Sequence, residues 1–152
     1  MHIRELTALD CALGFAAMRA LRPALSADSF PTLVAAQMQQ GYRLLGVFDD
    51  TSDEAIAVAG LRLGRNLAWG EHLYIDDLST LPEARGKGAA SLLLEWIVEE
   101  AQRLGITQIH LDSGVQAERQ DAHRLYFRAG YRISSYHFSR SVSSAAVPTS
   151  AM

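Results

Sequence analysis

Apolar and polar residues alternate over "HIREL" (2–6), a two-residue period that predicts a short first strand. The pattern then lengthens to helical spacing over 10–21, with Thr7 or Asp10 as cap and Pro23 as stop. A second helix is expected around 29–40, where Ser29 precedes Pro31 in the first turn and Gly41 follows the end. "YRLLGVFD" (42–49) and "AIAVAGLRLG" (55–64) are strand-like runs separated by the polar cluster "DTSDE", a hairpin pattern, and "EHLYIDDLSTL" (71–81) continues the meander.

From Lys87 to Leu104 the period is again helical: Ala90, Leu93, Leu94, Ile97, Ala101 and Leu104 share one face, Glu95, Glu99, Glu100 and Arg103 the other, and Gly105 ends the run. "ITQIHLD" (106–112) reads as a strand, and "RQDAHRLYFRAG" places Ala122, Leu125, Tyr126 and Ala129 on one helical face before Gly130. "YRISSYHFSR" (131–140) reads as a last strand. The order is β-α-α-β-β-β-α-β-α-β. A strand–helix–strand step around 72–112 requires a parallel pair, so the expectation is a mixed α/β sheet with helices on both faces.

Length and composition narrow this to one domain. A chain of 152 residues, 49% hydrophobic and 20% charged, fits a single core spanning 1–140. The stretch 141–152, small and unpatterned, is expected to be a disordered tail. A net charge of −3 argues against a nucleic-acid binder and favours a small-molecule partner. Glu5, Asp10, Arg19 and Arg22 break up the N-terminal apolar stretch, so neither a signal peptide nor a membrane span is expected. The single cysteine, Cys11, has no partner for a disulfide or a metal site. It suits a reducing cytoplasm and a place in the core, and no metal is expected.

The candidate chemistry begins at "RGKGAAS" (85–91), between a strand and a helix. Helix starts leave backbone N–H groups unpaired and carry partial positive charge, and glycines let an anion approach those groups closely. Arg85 and Lys87 add full charges. The alternative is a plain connector in which Gly86 and Gly88 only solve backbone geometry. A nucleotide P-loop does not fit, because Leu81 stands where its first glycine belongs and Gly88 where its Ser or Thr belongs. The dinucleotide fingerprint fails at Ser91.

A different pattern fits: Arg85, two residues, Gly88, one residue, Ala90. With its flanks the stretch resembles the acetyl-CoA pyrophosphate loop of the GNAT N-acetyltransferase superfamily, and "AHRLYFRAGY" (122–131) is similar to that family's downstream Ala, Leu-Tyr, Gly-aromatic segment. The resemblance is strong over about 70–140. It implies a GNAT-like fold, and acetyl-CoA as co-substrate. It implies a splayed strand whose backbone at Leu78, Ser79 and Thr80 pairs with the pantetheine arm, and a pyrophosphate site on Gly86, Lys87, Gly88, Ala89 and Ala90 beside Arg85. Where many members have asparagine three residues before the alanine, this chain has Arg119, so an amide contact from that position does not carry over.

Acetyl transfer to an amine needs an acid for the leaving thiolate and a base for the amine proton. The resemblance implies Tyr126 as the acid; read without it, Tyr126 is a core aromatic. For the base, strand alternation puts His72, Tyr74, Asp76 and Leu78 on one face and Glu71, Leu73, Ile75 and Asp77 on the other, unless a bulge changes the parity. The family's glutamate falls on or beside His72, which makes His72 the first candidate, followed by Asp76 and Glu71. Each also has a structural reading. Arg19, Arg22, Tyr136 and His137 are candidate acceptor contacts, with solvated surface the better reading of the arginines. The function expected is acetyl transfer to a small-molecule or peptide amine. The alternative is a silent acyl-CoA-binding module, and the resemblance also suggests a homodimer formed through the C-terminal strands.

Overall fold

β1 (His2–Leu6) pairs antiparallel with β2 (Tyr42–Phe48), His2 opposite Phe48 and Leu6 opposite Leu44. In the computed structural model, which describes residues 1–144, this pair begins a five-stranded sheet of order β1-β2-β3-β4-β5. β3 (Ala57–Asn66) and β4 (Gly70–Thr80) continue the antiparallel meander, and β5 (Ile109–Leu111) lies parallel to β4. The long run "AVAGL" of β3 is buried throughout, as a strand covered on both faces must be.

Helices α1 (Phe15–Leu21) and α2 (Phe30–Met38) cover one face. Their core includes Met18, Phe30, Val34, Tyr42, Leu44 and Val58. α3 (Ala89–Arg103) covers the other with Leu93, Leu94 and Ile97, joined there by Tyr126 of α4 (Gln120–Arg128). α1 is shorter than its pattern suggested, because Cys11–Gly14 winds as a tighter 3-10 turn. Asp10 does not cap it; its carboxylate accepts the Thr7 N–H at 2.6 Å. Cys11 is buried.

Two expectations are corrected. Glu100, placed by its helical spacing on the solvent side of α3, is 6% exposed. β2 sends Arg43 under that helix, where Nη2 donates to Glu100 Oε2 at 2.5 Å and to Glu5 Oε1 at 2.7 Å. Arg103 also bonds Glu100, and these guanidinium bonds, Arg103 first, hold the carboxyl below the usual range despite burial. A pattern of apolar positions does not register a charge whose partner comes from a strand 57 residues away.

The last strand expected over 131–140 does not form, and no regular element follows α4 among the described residues. A strand needs a partner, and β5 offers only three residues. A groove of about 940 Å³, bordered by Gln108, Ile109 and His110 on one side and Arg132, Ser134 and Ser135 on the other, separates it from the chain that should pair with it. Ile133, Tyr136 and Phe138 are consequently 74%, 86% and 92% exposed. Of the tail expected over 141–152, residues 145–152 lie outside the described residues. No helix among the described residues is long and apolar enough to cross a membrane.

Candidate active site

β4 organises the site through one irregularity. Leu61 lies opposite Ile75 but Gly60 lies opposite Asp77, so Asp76 is an extra residue on β4, a β-bulge. The bulge changes the strand's parity. Leu73 and Ile75 pack toward α3, yet Asp77 and Ser79 face α1 and α2 together with Asp76, while Leu78 turns toward the α3 core. Simple alternation, which paired Leu78 with Asp76 and opposed Asp77 to both, is corrected at this point.

The bulge is held from three sides. Arg22, at the end of α1, donates from Nη2 to the Asp76 carbonyl at 3.0 Å and from Nε and Nη2 to Asp77 Oδ1 at 3.0 and 2.9 Å. The Tyr42 hydroxyl donates to Asp77 Oδ2 at 2.7 Å, and burial together with the Asp77 charge pushes that phenol far above its ordinary pKa. Tyr42 lies over Gly60, where an added Cβ would come within 1.9 Å of its oxygen, so the close approach of the ring requires glycine. Arg62 grips Asp76 with two bonds of 2.9 Å. Arg22, a candidate acceptor contact in the sequence, is instead committed to β4.

Past the bulge β4 loses its neighbour. Its pairing with β5 stops at Ile75 opposite Leu111, so the edge of residues 76–80 that faces β5 has no partner strand there. A cleft of about 530 Å³ opens beside it. The turn before α3 forms one wall: Gly86 and Gly88 adopt φ of +79° and +88°, conformations that cost a side chain strain, and Gly88 is the cap whose helix start presents unpaired N–H groups. Leu78, Ser79, Thr80, Arg85, Gly86, Gly88, Ala89 and Ala90 all line this cleft. Lys87 does not line it; it lies near Asp49, whose exposed carboxyl is held low first by the Thr51 hydroxyl and N–H and only then by the Lys87 charge.

α4 forms the opposite wall, with Arg119, Ala122, Leu125 and Tyr126. Tyr126 is 8% exposed. Burial raises its phenol above the ordinary value, while the neighbouring Arg119 guanidinium pulls it back. The Tyr131 ring stands 6.1 Å from that of Tyr126, and burial raises its phenol to about 12. Its oxygen is buried without a hydrogen-bond partner among the described residues.

The three candidate bases diverge. His72 is 6% exposed, and its Nδ1, 3.0 Å from the Gly70 carbonyl, is the nitrogen placed to donate to it. Asp76 is occupied by Arg62. Glu71 is on the opposite face, paired with Arg65 at 2.9 Å. Around His72 the fold gathers groups that the sequence reading missed. Trp69 stacks on His110 with centroids 3.4 Å apart and meets His72 edge-on at 4.9 Å. Burial first, and His72 second, lower the His110 pKa. Tyr74 donates to Asp112, which also has His137 Nδ1 at 3.5 Å. The available signal was parity on β5, where His110 and Asp112 alternate with Ile109 and Leu111; only the register of Tyr74 against His110 gives it meaning. Tyr136 stays in solvent.

Comparison with known proteins defines the class. Residues 14–131 match the model of the acetyltransferase (GNAT) family, and the chain belongs to that family. It is 32% identical over 145 residues to YhdJ of Bacillus subtilis (strain 168), named an uncharacterized N-acetyltransferase, covering 93% of this chain and 99% of that one. It is also 38% identical over 68 residues to the aminoalkylphosphonate N-acetyltransferase of Salmonella typhimurium, covering 45% and 43%. Glucosamine-6-phosphate N-acetyltransferase from Arabidopsis thaliana has the same fold, with a TM-score of 0.73 over 93% of this chain and 98% of that one at 18% identity. The family consists of acyltransferases that use acetyl-CoA, and the chain is an acyltransferase of this kind.

Proposed function

We propose that this protein moves the acetyl group of acetyl-CoA to the primary amine of a small molecule or peptide by direct attack. The observation that carries the reading is one cleft bounded by the unpaired edge of β4, the α3 N-terminus with its two positive-φ glycines, and the Tyr126 phenol. The N–H groups of residues 86–90 with Arg85 suit a pyrophosphate, and the free backbone of Leu78, Ser79 and Thr80 suits the amides of the pantetheine arm. Tyr126 is the group placed to give its proton to the departing sulfur. The amine's proton leaves toward His72 Nε2 through water, because that ring is too enclosed for direct contact. The acidic balance and the acceptor names of the Salmonella and Arabidopsis relatives favour a small amine.

Thermal denaturation tests this inexpensively. Acetyl-CoA at about a hundred times its Kd raises Tm by roughly 5–10 °C, and ATP does not. The absence of any shift at millimolar acetyl-CoA defeats the reading. Release of thiol across a panel of amines then separates an enzyme from a silent binding module.

The reading extends to location and assembly. It places the protein in the cytoplasm, with Cys11 buried and reduced and neither nucleic acid nor membrane as partner. Two copies pair along the open edge of β5, supported by the groove there and by the exposed Ile133, Tyr136 and Phe138. Light scattering after size exclusion is expected to give twice the 16.6 kDa chain mass, and a monomer at micromolar concentration removes this part.

A further inference from the structure

Arg119 is where this chain departs from the family pattern, and the fold gives that departure a place. It caps the N-terminus of α4 seven residues before Tyr126, two helical turns, so both residues look into the same cleft. The loop after β5 fixes the start of the helix. Arg119 Nη2 donates to Ser113 Oγ at 3.5 Å, and His123 Nε2 lies 3.0 Å from that oxygen and 2.8 Å from the Gly114 carbonyl. Among the described residues Arg119 forms no ion pair. Its charge is therefore unspent beside a buried phenol.

We propose that Arg119 is a positioning residue for acyl transfer: acting through the Tyr126 phenol, it stabilises the anionic sulfur left when the carbon–sulfur bond breaks. The inference rests on the acyl-transfer reading above. The acceptor nitrogen forms the new C–N bond as the C–S bond breaks, and the electron pair of that bond goes to sulfur. Sulfur takes the Tyr126 proton, the tyrosine oxygen regains one from water, and the nitrogen releases one through water toward His72 Nε2. Amine and thioester thereby become amide and thiol.

Electrostatics explains what a cation adds at this position. A thiol ionises near about 8.5 and a phenol near about 10, and burial widens that gap for Tyr126. A neutral side chain in place of Arg119 leaves the widening uncorrected; a guanidinium narrows it and strengthens the hydrogen bond from phenol to sulfur. The remaining charged groups of the cleft are Arg85 on the loop before α3, Glu118 in the 3-10 turn before α4, and Asp121 and Arg128 on α4. Asp121 is paired with Arg124 at 2.6 Å, α1 and β4 present only uncharged lining, and Tyr131 across the gap is a neutral phenol. Arg119 is the cation that stands at the start of the Tyr126 helix and lines the same cleft, and its guanidinium opposes the effect of burial on that phenol.

The test is the pH dependence of binding by calorimetry, with CoA and acetyl-CoA as probes and no acceptor needed. If the bound thiol ionises more readily than the free one, CoA affinity rises with pH until the free thiol ionises as well. The wild type is expected to gain about threefold to tenfold for CoA between roughly pH 7 and 9, and nothing for acetyl-CoA, which has no proton to lose. Arg119→Gln abolishes most of the gain, and Arg119→Lys keeps part of it. In a Tyr126→Phe background Arg119→Gln changes nothing further. Equal weakening of both ligands at every pH means that Arg119 merely anchors the donor, which overturns the inference and leaves acyl transfer standing. A pH gain that survives Arg119→Gln overturns it as well. If neither ligand binds the wild type, the functional reading and this inference fall together.

Discussion

Replacing Gly88 with valine is expected to cut acetyl-CoA affinity by about a hundredfold or more while the protein remains folded. Gly88 holds φ at +88° at the cap of α3, a conformation in which a β-branched residue is strained by about 1–3 kcal/mol. Relief of that strain rotates the peptide groups that follow and turns the N–H groups of Ala89 and Ala90 out of the anion's reach. A Cβ built at Gly88 has nothing within 4 Å, so the penalty is conformational rather than a clash with the folded core. Losing two charge-directed hydrogen bonds, each worth about 1.5–3 kcal/mol, accounts for the factor. Gly105 is the control. It ends α3 at φ +71°, outside the cleft's lining, so Gly105→Val shares the strain and lowers Tm without changing affinity. Calorimetry beside thermal denaturation of both variants decides the matter. An affinity unchanged in Gly88→Val means that the turn is only a connector.

Tyr126→Phe is expected to lower kcat by about a hundredfold on the best amine found in the panel, with KM for acetyl-CoA within a few-fold of the wild type. The substitution keeps the ring that packs against α3 and the neighbouring Tyr131, so Tm stays close to the wild-type value. Only the proton donor is lost. That proton matters as charge gathers on sulfur, so the defect belongs in kcat rather than in donor binding. The basic limb of the pH profile, which reports the phenol, is expected to disappear with it. A variant as fast as the wild type returns Tyr126 to a purely structural role.

The antiparallel meander of β2, β3 and β4, the four helices and the single parallel pair were legible in the sequence because each rests on local information. Periods of two and 3.6 mark which face of an element is buried, and Gly41, Gly105 and Gly130 mark the ends of helices. The cleft's wall was legible for the same reason: Gly86 and Gly88 lie within a few residues of the helix they open, and Tyr126 lies within a motif ten residues long.

What was not legible depends on residues far apart in the chain. The bulge at Asp76 is written in the register of β4 against β3 and secured by Arg22, 54 residues upstream, so alternation along β4 alone gave the wrong partners to Asp77 and Leu78. The burial of Glu100 needs Arg43, the cluster of Trp69, His72 and His110 needs β5 in its place, and the missing last strand reflects a groove where a partner strand should lie. The sequence by itself determined the elements through α4, the family and the loop expected to hold the acyl donor, because short-range periodicity and steric demand at glycine are properties of neighbouring residues. Only the tertiary structure decided which charges neutralise one another, which histidine is enclosed and which arginine remains beside Tyr126, because electrostatic pairing follows distance in space.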